Sequence, residues 1–302
     1  MKRRAFIKQL GLAAALPWLG RAALAAANAP QKTNSSPHKI LTCNVRVDTA
    51  EDAKTGNSWA DRKELCAETM RVQKADLICL QECQHAYVKH LKLRLPEFDS
   101  FALSNPGATA QPVNTILFSR DRYEMVSAGG FWLSEKPHVA ASKSWDAAYS
   151  RLVNWVHLKE RSTEKELRVW NTHLDHLGQT AREKQAEMIM QASAVFPKAF
   201  PQLLTGDFNT DATNPAVKLV QAAGWTDTYA AAHGPEDPGI TYHGFLGPRL
   251  TEQTPKEKRL GKIDWIWCRG AVKVLGAEVI RDSRNGHYPS DHYFVSAEVA
   301  LL

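Results

Sequence analysis

Short apolar runs that end in polar residues recur along this chain, with stretches of helical spacing between them. Ile40-Leu41-Thr42-Cys43-Asn44-Val45 predicts a first buried strand. Ala75-Asp76-Leu77-Ile78-Cys79-Leu80-Gln81-Glu82 predicts a second, closed by an amide and a carboxylate. Between them Leu65, Cys66, Thr69, Met70 and Val72 gather toward one face of a helix over 61–73. A helix near 84–94 is stopped around Pro96, and strands follow at 98–103, 113–119 and 123–132. Tyr149 to Leu158 alternates as a half-buried strand does, and 167–174 forms another. The clearest helix covers 180–194. A strand at 202–206, a helix from Pro215 to Ala223 and strands at 262–268, 273–281 and 292–299 complete the pattern.

Strands with intervening helices predict two sheets packed face to face with helices outside. No Gly-, Ser- or Pro-rich break divides residues 39–302, so they form one domain, preceded by a polar linker over 28–38. The 302-residue composition, 44% hydrophobic and 23% charged, carries no repeat or low-complexity segment and suits a globular protein with a sizeable core.

Residues 1–27 stand apart. Lys2-Arg3-Arg4-Ala5-Phe6-Ile7-Lys8 resembles a twin-arginine export motif, an apolar stretch runs from Leu10 to Leu19, and small residues fill Ala22 to Ala29. Pro17 and Arg21 interrupt a run too short to span a bilayer, so the segment is expected to be a cleaved signal rather than a membrane anchor. The expected partner is the twin-arginine export machinery, and the expected location is periplasmic or secreted.

This segment changes the meaning of the charge. The whole chain has 38 Lys and Arg against 32 Asp and Glu, a formal charge of +6. Removing the five basic residues of the signal leaves +1, which gives no support to a broad surface for tracking nucleic acid. The five cysteines show no paired spacing of the kind zinc requires; Cys43, Cys79 and Cys268 lie in apolar runs, and a Cys66–Cys83 disulfide stays open.

Chemistry-bearing residues collect at the strand ends. In chain order they are Asn44, Gln81-Glu82, Asn171-Thr172-His173-Leu174-Asp175-His176, Gly206-Asp207-Phe208-Asn209, Lys262-Ile263-Asp264-Trp265-Ile266 and Ser290-Asp291-His292. Hydrolysis of a phosphate ester needs hard oxygen ligands for a cation, a group that activates water and donors for phosphoryl oxygens, and these segments supply all three. Taken singly each has a bland reading: Asn44 as an Asx turn, Glu82 as an exposed strand end, Gly206-Asp207-Phe208-Asn209 as a turn, Asp264 and His292 as a structural pair. Six in one order are specific.

That ordered set resembles the endonuclease/exonuclease/phosphatase superfamily, the enzymes built like DNase I, over residues 39 to 300. The resemblance implies an α/β (α+β) four-layer sandwich of two mixed β-sheets. It implies Mg²⁺, with Mn²⁺ as a substitute, at Glu82 with Asn44 and Asp291. It implies His292 as general base or phosphate contact supported by Asp264, Asp207 and Asn209 orienting water and phosphoryl group, and His173 donating to a phosphate oxygen. Asp207 and Asn209 are expected to face one ligand as alternate residues of an extended segment. Arg151 and His243 are candidate substrate contacts, with Trp145 and Tyr242 as pocket walls. Lys256, Lys258, Arg259 and Lys262 form a basic cluster that is better read as a solvated loop.

The expected activity is metal-dependent phosphoesterase, with a nuclease or phosphodiesterase acting on nucleic acid first and a small-molecule sugar- or inositol-phosphate phosphatase as the alternative. A catalytically inactive binding module on the same scaffold is the rival of another class, and the complete acid and imidazole set counts against it. A monomer without a stable membrane anchor is expected.

Overall fold

The computed structural model describes residues 36–104, 113–255, 258 and 260–302; the expected signal over 1–27 and the cluster members Lys256 and Arg259 lie outside them. Two six-stranded mixed sheets form the centre. The first has the order β11 (Val272–Ile280), β12 (Phe294–Leu301), β1 (His38–Asn44), β2 (Leu77–Gln81), β4 (Ile116–Ser119), β3 (Phe98–Phe101). The second has the order β5 (Tyr123–Trp132), β6 (Leu152–Glu160), β7 (Glu166–His173), β8 (Gln202–Asp207), β10 (Asp264–Arg269), β9 (Thr226–Asp227). Parallel pairs occur at β1–β2 and β7–β8, each joined through a helical crossover, and the other pairs are antiparallel.

Three apolar layers explain why the strand sequences lack alternation. In β1, Ile40 enters the core between the sheets with Leu77, Val156 and Leu203, whereas Leu41 and Cys43 face the helices on the other side. Those helices are α2 (Trp59–Val72) and α3 (His85–Arg94), which contribute Cys66, Met70, Tyr87 and Leu91. On the far side of the second sheet, α4 (Gln179–Ser193) and α5 (Pro215–Ala222) pack Ile189 and Val217 against Trp170, Leu204 and Trp267. A strand covered on both faces must be apolar at nearly every position, which is what β1, β2 and β8 show. The expected α/β four-layer sandwich is the observed one.

The helices start at local signals. Ser58 and Asp61 form a capping box for α2, and Asn214 caps α5 with Pro215 in its first turn. The start of α4 is capped from a distance: Asp146 accepts from Thr180 N and Ala181 N. Gly178 permits this approach, since a Cβ there would lie 2.6 Å from the Asp146 carbonyl oxygen. Gly206 is equally constrained, with φ of 150° and a would-be Cβ 2.1 Å from Thr172 O.

Four short elements escape the hydrophobic pattern: α1 (Ala50–Lys54), α6 (Thr228–His233), α7 (Arg249–Gln253) and β9. Each is too short for a period to show. The five cysteines are all buried free thiols, so the Cys66–Cys83 bridge is absent. No described helix is long and apolar enough to cross a membrane.

At the end of the sandwich away from the strand-end acids, His38 is buried with Nδ1 2.6 Å from the Tyr123 hydroxyl. Arg122 donates to Glu160 and Asp76 beside it. Burial, and then the Arg122 charge, hold the His38 imidazole down to about 4 from 6.5, against the pull of Glu160. The unfolded chain therefore takes up a proton near 6.5 that the folded chain refuses until about 4. This contribution to stability is complete above 6.5 and disappears as pH falls toward 4. Denaturant titration should show unfolding free energy falling across that window, and His38→Gln should make the fall shallower.

Candidate active site

Register brings the site together. At the ends of three neighbouring strands, His173 of β7 pairs with Asp207 of β8, and Asp207 pairs with Asp264 of β10. Directly opposed residues share a face, so all three side chains project to the same side. In the other sheet Asn44 ends β1 beside Gln81 of β2, and Glu82 follows. Asp291 and His292 precede β12, where Ser290 Oγ donates to Asn44 O at 2.7 Å.

A buried polar seam aligns the two sheets beneath these ends. Gln81 Nε2 donates to Asn171 Oδ1 (2.7 Å) across the interface and to Thr42 Oγ1 (3.0 Å) within its own sheet. Asn171 Nδ2 donates back to Leu80 O, and Thr205 Oγ1 donates to Asn171 Oδ1. Above the seam, Asn44 Nδ2 donates to both Glu82 Oε1 (3.1 Å) and Asp207 Oδ2 (3.0 Å). Asp207 Oδ2 is 3.7 Å from His292 Nε2, so three short contacts link the Glu82 carboxylate to the His292 ring.

The imidazoles differ in charge. His292 Nδ1 lies 2.9 Å from Asp264 Oδ2; burial opposes its charge, but Asp264 and Asp207 outweigh that and push its pKa well up. The two neighbouring acids therefore favour its charged, donor form. Burial, then neighbouring Asp264, raise the Asp207 carboxyl against the opposing pull of His292 and the Asn209 and Asn44 donors. His173 stays neutral, since burial and the charges of Arg151 and His292 hold it well below the usual range. Its Nε2 accepts from Asn209 Nδ2 at 2.8 Å, so it braces Asn209.

Two expectations change in form. Asp207 and Asn209 do meet, but through a turn: Asn209 N donates to Asp207 Oδ1 (2.7 Å), and Asn209 has a left-handed φ of 53°. Asn44 presents its donor, not its oxygen, to the acids, because Arg46 N occupies Oδ1 at 3.0 Å. In this arrangement its Nδ2 bridges Glu82 and Asp207.

Four carboxylates, Glu82, Asp207, Asp264 and Asp291, surround this space. Burial and then Glu82 raise the Asp291 carboxyl, with His292 opposing, so Glu82 and Asp291 repel through the gap between them. Asp264 Oδ1 is buried without a hydrogen-bond partner. Asp207, Asp264 and His292 offer ligand atoms within 4.8 Å of one another. The oxygen-rich donors around this space fit a hard divalent cation.

Arg151 Nε sits 3.6 Å from Asp175 Oδ2, and its charge reaches Asp207 and Glu82. His243 is not a substrate contact: it has no exposed surface, lies between Tyr288 and Tyr293, accepts from Gly247 N and is held down to about 3 by burial and then His292. Its neighbour Tyr242 takes the outward position, 42% exposed and edge-on to His292 at 5.2 Å. Lys262 is buried on Asp227 at 2.7 Å and over Trp265, so it is unavailable to an anion.

Two arginines lie outside the strand-end motifs. Arg46 reaches Asp52 (3.1 Å) and Asp291 (3.5 Å), and Arg62 donates to Val45 O, Arg46 O and Pro289 O, tying together the two loops that carry Asn44 and Asp291. Arg46 could have been found as the residue two after a strand-closing Asn; Arg62 carries no signal, since nothing in a helix sequence shows which distant carbonyls it will meet.

The fold has counterparts among solved structures. A Bacteroides thetaiotaomicron endonuclease/exonuclease/phosphatase family protein superposes with a TM-score of 0.79 at 26% identity, covering 88% of this chain and 98% of its own. The mannosyl-6-phosphatase of the same organism superposes at 0.76 with 27% identity, over 87% and 99%. D. rerio TDP2, complexed with a single-strand DNA product, shares the fold at 0.67 and 18% identity, over 88% and 99%. No curated protein matches the chain. The model of the Endonuclease/Exonuclease/phosphatase family matches residues 41–292, from the strand that carries Asn44 to His292 itself, and the chain belongs to that family of phosphoesterases.

Proposed function

We propose that the chain is a divalent-metal-dependent phosphomonoesterase acting on a small phosphorylated molecule. One observation carries this reading: Asp207, poised to take a proton, and His292, poised to give one, share a buried space with Glu82 and Asp291. Glu82 and Asp291 would hold Mg²⁺ or Mn²⁺, with Asn44 bracing Glu82. Bound there, the ion supplies Lewis-acid polarisation of a phosphoryl oxygen and stabilises charge on the leaving oxygen. Asp207 accepts the proton of the attacking water, and the Asn209 turn holds that carboxylate in place. His292, oriented through Nδ1 by Asp264, donates from Nε2 to the oxygen on which charge develops.

Substrate size follows from the rim. Arg46 and Arg151 are engaged with carboxylates and Lys262 is buried, so these offer no row of free cations for a nucleic-acid backbone. The similarity to a mannosyl-6-phosphatase supports a sugar phosphate over the nuclease expected from export alone. Export itself belongs to the proposal, on the Arg3-Arg4 motif.

His292→Ala and Asp207→Asn should each lower kcat by about a hundredfold to ten-thousandfold, with circular dichroism and Tm showing an intact fold. Full activity in either would remove these two roles. Chelation with EDTA should abolish phosphate release from sugar phosphates, and Mg²⁺ or Mn²⁺ should restore it; rescue by Zn²⁺ alone would contradict a hard-oxygen site, and cleavage of oligonucleotides alone would mean a diesterase. Lys at both Arg3 and Arg4 should trap the protein in the cytoplasm on cell fractionation; unchanged export would exclude the twin-arginine route.

A further inference from the structure

Beside the acid cluster lies an exposed feature held more firmly than its exposure requires. Tyr149 is 64% exposed, yet its ring stacks on the exposed His176 imidazole, with centroids 5.3 Å apart and planes 11° from parallel. The Arg151 guanidinium is 5.9 Å from the Tyr149 ring centre, and its Nη2 is 3.3 Å from His176 Nδ1. One buried carboxylate ties down both loops: Asp175 accepts from Ala148 N and Tyr149 N through Oδ2, and from Leu177 N and Gly178 N through Oδ1. An aromatic pair so fixed has already lost much of the freedom that ligand binding would otherwise remove.

The pair stands next to the strand ends of the site: Arg151 is two residues before Val153, which pairs with Thr172 beside His173, and His176 is three residues after His173. The Arg151 charge acts on Asp207 and Glu82, and Arg151 and His176 both act on His173. Arg151 Nε is turned inward to Asp175 Oδ2 at 3.6 Å, which leaves the outer guanidinium nitrogens toward His176. An apolar ring surface therefore stands beside nitrogen donors, within electrostatic range of the phosphoryl site.

We propose that Tyr149, His176 and Arg151 form the subsite for the organic part of the substrate, a sugar ring carrying the scissile phosphate. The inference rests on the phosphomonoesterase reading above. A sugar ring has an apolar C–H face and a hydroxyl edge; the ring pair answers the first, and the guanidinium and imidazole nitrogens answer the second. Because the two rings stack on one another, they leave no slot between them for a nucleobase. A ligand must lie against one outer face, which a saturated ring with one apolar face can do; the hydroxyl-directed nitrogens beside it are what favour the sugar.

The test uses the Mg²⁺-loaded protein, with mannose 6-phosphate as the ring substrate and glycerol 3-phosphate as the ringless one. Tyr149→Ala should raise KM for the sugar about tenfold more than KM for glycerol phosphate, with the loss in KM and not in kcat. Tyr149→Phe should restore the parent ratio, because stacking and not the hydroxyl is invoked, and His176→Ala should act in the direction of Tyr149→Ala. Equal effects on both substrates in a folded Tyr149→Ala protein, or none, would overturn the subsite and leave the phosphatase reading standing. Failure of the parent protein to hydrolyse either phosphomonoester, with cleavage of bis-nitrophenyl phosphate retained, would overturn both.

Discussion

Four carboxylates in one partly buried space repel, and the architecture at this end of the sandwich is organised around containing that repulsion. The Asn44 amide takes a central place, donating at once to Glu82 from its own sheet and to Asp207 from the other. An amide donor between two acids softens the repulsion without cancelling it, which a full charge would do. Arg46, Arg151 and the imidazolium of His292 approach from three sides, each already engaged with a carboxylate. Net negative character is thereby kept in the space between the acids, and Asp207 and His292, the proton-transfer pair of the proposed mechanism, are held apart from full neutralisation.

Such a cluster requires that two separate sheets be aligned to within a hydrogen bond. Apolar packing between sheets sets spacing but is tolerant of sliding, because it is not directional. The Gln81–Asn171 bond supplies direction, and Thr42, Leu80 and Thr205 engage further groups of the pair, leaving Gln81 Oε1 without a partner. A buried amide pair with one member displaced would leave several polar atoms without partners, so the alignment is strongly favoured. The residue after Gln81 is Glu82, and two residues after Asn171 is His173, so fixing the seam fixes the site above it.

Much of this was legible in the sequence because a strand covered on both faces must be apolar and must end where it meets solvent. Runs such as Ile40 to Val45 and Gln202 to Gly206 therefore marked both the strand and the place where polar cargo begins. The short elements α1, α6, α7 and β9 carry too few residues for a period, and their formation depends on neighbours. His243 shows a second limit: in Tyr242-His243 one residue faces out and its neighbour in, and composition does not tell which. The pairing of His292 with Asp264 was legible, whereas the added pull of Asp207, an acid brought near only by register, was not.

Turn geometry and catalytic geometry, which compete as readings of a sequence, coincide in the structure. Asn44 ends β1 and accepts from Arg46 N; Asp207 ends β8 and accepts from Asn209 N. Both Arg46 and Asn209 adopt left-handed backbone, at φ of 56° and 53°, and Glu82 does so at 57°. Each such residue costs about 1–2 kcal/mol, so the surrounding bonds must hold it there. The same device stands at one strand end of each sheet, and the two strand-closing residues are hydrogen-bonded to each other. Each turn reverses the chain so that a side chain two residues on comes back over the cleft: Arg46 toward Asp291, and Asn209 onto His173. The strain is therefore what aims these groups. A strand that simply ran on would carry the same residues out into solvent.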